Sequence, residues 1–98
     1  MEPEVASARM RWRAAEERLY PLALTDTDAY KDVVEAVGRV IAELRRRKAT
    51  MRDLLDAEDD PSLLRLAEAE PRGPVAVDRA SVVAAACALH SVQLAADR

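Results

Sequence analysis

Residues 80–96 carry no formal charge, in a chain of which 34% is Asp, Glu, Lys or Arg. Such a run has to be shielded, because each Å² of apolar surface left in water forgoes about 25 cal/mol. The remainder of the chain must therefore be arranged to cover it. The run is shorter than the ~20 residues that a membrane-crossing helix needs. It also contains Ser81, His90, Ser91 and Gln93. The expectation is an inner helix of a soluble domain, with no membrane involved. Val82, Ala85, Leu89 and Val92 mark one face of that helix, and Val83, Cys87, His90 and Leu94 a second. Two apolar faces predict cover on most sides, so Leu89→Asp is expected to unfold or dissociate the protein.

The segments before it read as helices of an all-α bundle. Val5, Ala8, Trp12, Ala15 and Leu19 recur at spacings of three and four, the signature of one helical face. This predicts a first helix over 3–20, stopped by Pro21, whose ring disfavours helical geometry at Tyr20. After an apolar connector over 21–25, Asp26, Asp28 and Asp32 crowd the first turns of a second helix, where negative charge suits the helix dipole. Thr25 and Asp28 resemble its capping box. Its apolar stripe is Tyr30, Val33, Val34, Val37, Val40, Ile41 and Leu44, with Glu35–Arg39 and Glu43–Arg47 as outward i,i+4 pairs.

No Gly or Pro lies between 39 and 60. That favours one continuous, bent helix to about Glu58. The alternative is a break near Ala49 with a new helix capped by Thr50 and Asp53. Asp60-Pro61 supplies an N-cap and a first helical residue for a short helix over 61–70. The cluster over 71–74, with Pro71, Gly73 and Pro74, is a turn, and the last helix runs from Asp78 or Arg79 to Ala96. Only Val75–Val77 alternates with period two. The expected fold is one domain over 1–98: a bundle of four helices, or five if the second breaks. Its N-terminal hairpin is antiparallel and receives the buried C-terminal helix in its groove. Gly38, inside the second helix, costs about 1 kcal/mol relative to Ala; a crossing by the last helix would account for it.

Composition narrows the function. Half of the residues are apolar, but 20 of these 49 are alanine, which bury little area each. A chain of this size and composition builds a thin core, so self-association is expected to complete it. The net charge is −3, without the basic excess of a typical nucleic-acid binder. Arg9, Arg13, Arg45, Arg46, Arg47 and Lys48 are the candidate interaction residues, because an antiparallel hairpin brings them to one end. An acidic run over 56–60 lacks the alternating ligands of a calcium loop and reads as a solvated turn.

Cys87 and His90 share a face three residues apart. A structural zinc needs four ligands, and the chain has one Cys and one His. A nucleophilic role needs a depressed thiol pKa, and alanine and valine surroundings push it the other way. No Glu-x-x-His motif of a carboxylate-bridged metal site occurs, nor any phosphate-cradling glycine loop. No catalytic, cofactor or metal residue is therefore assigned. The lone Cys suits a reducing, cytoplasmic setting, and the acidic N-terminus lacks the apolar stretch of a signal peptide. The expected function is a non-catalytic protein–protein interaction or regulatory module that forms homo-oligomers. The alternative is a nucleic-acid-associated regulator acting through the basic end.

Overall fold

The computed structural model describes residues 3–68 and 78–96, and these are helical throughout with short connections. Helix α1 spans Pro3–Leu19, α2 Leu22–Thr25, α3 Thr27–Arg46, α4 Met51–Leu55, α5 Pro61–Leu66 and α6 Arg79–Ala96, with a 3₁₀ turn at Ala57–Asp59 between α4 and α5. The expectations for the turn over 71–74 and for Val75–Val77 lie outside the described residues.

Helix α1 buries Val5, Ala8, Trp12, Ala15 and Leu19, the stripe its periodicity defines. The connector after Pro21 is itself one helical turn, with Leu22 buried. Thr25 ends that turn and does not cap the next helix. Asp26 does so, accepting from the Ala29 N–H at 3.0 Å.

Helix α3 ends at Arg46, and the continuous helix favoured by the sequence is not what forms. The Ala49 N–H reaches back to the Leu44 carbonyl and the Lys48 N–H to the Arg45 carbonyl, both at 3.0 Å. With Lys48 in the left-handed region at φ 53°, this is the Schellman arrangement that closes a helix. Leu44 and Ala49, both buried, supply its apolar contact. Thr50 then opens α4 through a capping box, its hydroxyl accepting from the Asp53 N–H while the Asp53 carboxylate accepts from its own. Asp60 caps α5 as its sequence signature requires, accepting from the Ser62 and Leu63 N–H groups.

Helix α6 is the hub. It packs along α1 and α3 and also meets α4, the 3₁₀ turn and α5, while α1 and α3 scarcely touch each other. Arg18 near the end of α1 reaches Ser81 at the start of α6, so these two run antiparallel. Arg45 near the end of α3 reaches Gln93 near the end of α6, so that pair runs in one sense. The two long N-terminal helices are therefore antiparallel, with α6 set between them. Residues 82–88 are all buried, and small alanines let the neighbours approach closely. Helix α6 is long and apolar enough to cross a membrane by composition, and 56% of that stretch is buried by the other helices.

Two expectations about this packing do not hold. Among the described residues a Cβ placed on Gly38 meets nothing within 4 Å, so none of the described helices crosses there. Leu89 is 41% exposed and Val92 58%. The face carrying them is buried through its first two turns and open beyond.

Candidate interaction surface

The opening beside Leu89 and Val92 continues onto α1. A groove of about 550 Å³ runs between the two helices, with Met10, Arg13, Glu17 and Tyr20 on the α1 side and Ala88, Leu89 and Val92 on the α6 side. Its α1 wall is a stripe adjoining the core stripe, so the same helix shows one row inward and another to the groove. Six large apolar residues among the described ones are well exposed: Met10, Tyr20, Leu24, Val34, Leu89 and Val92. Four of these line the groove, which makes it a patch and not the scatter of single apolar side chains usual on a protein surface. Met10 is 75% exposed, so it projects toward solvent from the wall.

Charged groups edge the apolar strip in a fixed order. Arg9 and Arg13 come first along the α1 wall, and Glu16 and Glu17 follow toward the end of the helix. The Tyr20 hydroxyl donates to Glu16 Oε1 at 2.7 Å, which sets the ring's direction at the groove's end and raises the phenol pKa, that hydrogen bond being the first cause. Arg13 and Glu17 stand 3.9 Å apart, with side chains 82% and 66% exposed. Such a loose surface pair contributes little on its own.

The other basic residues singled out by sequence are not pooled with these. The start of α1 does come near their end of the bundle, but what it meets there is α4, through Arg52 and Glu4 at 2.8 Å. Arg45 donates to Gln93 Oε1 at 2.8 Å. Arg46 forks onto Glu43 of its own helix. Arg47 bridges Glu43 at 3.1 Å and Asp60 at 2.7 Å, and donates to Ser62. These contacts hold the Glu43 carboxyl at about 2, chiefly through Arg46, and that of Asp60 at about 2, chiefly through Ser62 and then Arg47. Lys48 serves the helix stop. The basic run thus ties α3 to α5 and α6. Arg39, expected to pair with Glu35, donates instead to the Leu66 and Glu68 carbonyls at the end of α5.

Cys87 and His90 are both buried in α6. The Cys87 Sγ faces the Leu54 carbonyl at 4.0 Å, and desolvation pushes its thiol up to about 12, with Glu58 adding to the rise. Among the described residues no group of three or more His, Cys, Asp or Glu side chains is placed to hold a metal ion.

Sequence reasoning missed Met10, Tyr20, Leu89 and Val92 as a surface. The available signal was that Met10 and Tyr20 fall off the core stripe of α1. Nothing in the sequence showed that they would meet the open face of α6. Comparison of the chain with models of known families, with curated proteins and with solved structures yields no match.

Proposed function

We propose that this protein is a non-catalytic interaction module that works by docking an apolar protein surface into the groove between α1 and α6. The observation that carries the reading is the convergence of Met10, Tyr20, Leu89 and Val92 on one face, rimmed by charges of both signs. That combination, an apolar strip that includes Met and Tyr within a polar rim, is the anatomy of a protein interface. A small-molecule site would enclose its ligand and converge a few polar groups on it; here the apolar side chains stand proud of the walls. The intramolecular contacts of Arg45, Arg46 and Arg47 lend no support to the nucleic-acid alternative.

The test is a photo-crosslinking residue placed at Met10 or at Val92, in the cell that makes the protein. A matching probe at Val34, which is 50% exposed and apolar but outside the groove, controls for simple stickiness. Discrete protein adducts from the two groove positions and none from Val34 are expected. Adducts of equal yield from all three, or none from the groove, would dispose of the reading.

A further inference from the structure

We infer that the groove's occupant is a second copy of this chain, with the two α1 helices packed antiparallel across a two-fold axis. This rests on the preceding reading of the groove as a docking surface and names its partner.

The argument is charge order. Among the groove-lining residues of α1 the basic pair, Arg9 and Arg13, precedes the acidic pair, Glu16 and Glu17. A partner of one sign suits one of these pairs and opposes the other. A second copy running parallel sets like charge on like. A second copy running antiparallel brings the basic stretch of one α1 toward the acidic stretch of the other, and an isologous two-fold contact makes each pairing so formed twice. One register satisfies the stripe best: with the axis level with Ala15, Arg13 faces Glu17 of the second copy and Met10 faces its Tyr20. Apolar meets apolar in the same register in which opposite charges meet.

The local geometry suits this. The Arg13–Glu17 contact within one chain is 3.9 Å long and largely solvated, so both groups have capacity for a partner across the interface. Tyr20 is steadied by Glu16, which lessens the ordering cost of docking its ring. Met10, with a flexible and polarisable side chain, adapts to what it meets, and Leu89 and Val92 of α6 extend the apolar centre. A standard interface takes about 800 Å² from each partner, roughly an eighth of this chain's 6267 Å² surface. The 17 residues of α1, about 25 Å long at 1.5 Å per residue, together with the open half of α6 span a footprint of that order.

The test uses charge exchange. Arg13→Glu gives a copy with carboxylates at both 13 and 17, and Glu17→Arg a copy with guanidiniums at both. Sedimentation of the wild type over a hundredfold range of concentration should show a monomer–dimer equilibrium. Each variant alone should dimerise at least tenfold more weakly, because both symmetry-related contacts become repulsive. An equimolar mixture of the two should form a 1:1 heterodimer about as tight as the wild-type dimer, because both contacts are restored. Both sites are exposed, and helical circular dichroism confirms that each variant is folded. A wild-type dimer indifferent to either exchange overturns the antiparallel register, while adducts in the crosslinking experiment would still uphold a docking groove. A strictly monomeric wild type overturns the inference outright, and crosslinking to a different protein then identifies the groove's true occupant.

Discussion

Gly38 and Lys48 each stand where the other's residue type would fit the backbone better. Gly38 lies in the interior of α3 with open space around its Cβ position, so it weakens the helix by about 1 kcal/mol relative to Ala with no close approach to compensate. Lys48 holds φ 53°, where a side chain costs roughly 1 kcal/mol and glycine costs nothing sterically. Part of the gain from glycine is returned as greater freedom of the unfolded chain. Gly38→Ala and Lys48→Gly should therefore each stabilise the protein by about 0.5–1 kcal/mol. The positions are ten residues apart, about 15 Å along a helix, so the two gains should add. In a domain of this size the double variant should melt about 5–10 °C higher than the parent, as followed by circular dichroism. A Gly38→Ala single variant that melts lower than the parent would mean that Gly38 is covered after all.

At the scale of elements, the helix ends carry the pH dependence. Asp60 caps α5 and also receives Arg47, so its folded carboxyl titrates near 2, against roughly 4 in an unfolded chain. Glu43, held by Arg46 and Arg47, is likewise depressed to about 2. Between these values the unfolded chain binds more protons, so stability rises with pH through that interval. The contribution is complete above about pH 5 and is lost as pH falls toward 2. Asp60→Asn keeps a competent cap but removes the charge, whereas Asp60→Ala removes both and should cost about 1 kcal/mol at neutral pH. Denaturant titrations from pH 7 to pH 2 should show the Asn variant converging on the parent at the acid end. The Ala variant should stay closer to its own neutral value than the parent does. These ends also show what a sequence discloses. Asp60-Pro61 and the α1 stripe were legible because their signals are local: a cap oxygen, a fixed φ, a repeat of 3.6. The stop after Arg46 was legible only as the less favoured alternative, through the Thr50–Asp53 cap that follows it, because its closing contact joins Leu44 to Ala49 around a lysine where glycine is the usual marker. The groove was not legible, since Met10 and Leu89 become neighbours only after α6 has settled against α1.

At the scale of the whole molecule, α6 divides into a sheathed first half and a second half open along one side. Val83 is fully buried at the hub where α6 meets the other helices, whereas Leu89, only six residues on, is 41% exposed at the groove. A chain of this length commands about 5–15 kcal/mol of stability, with a thin core placing it toward the lower figure. An unpaired carboxylate buried at Val83 costs at least 3–5 kcal/mol, and the lost valine contacts add to that. Val83→Asp should therefore abolish the cooperative melt. Leu89→Asp places the same charge within reach of water, so it should shift stability by less than about 1 kcal/mol while abolishing self-association through the groove. Both are read in one pair of measurements, a thermal melt by circular dichroism and a sedimentation run on each variant. If Leu89→Asp unfolds the chain as Val83→Asp does, α6 is covered along its full length and the groove is closed in solution. If it melts with the parent and still dimerises, the contact between copies lies on another face.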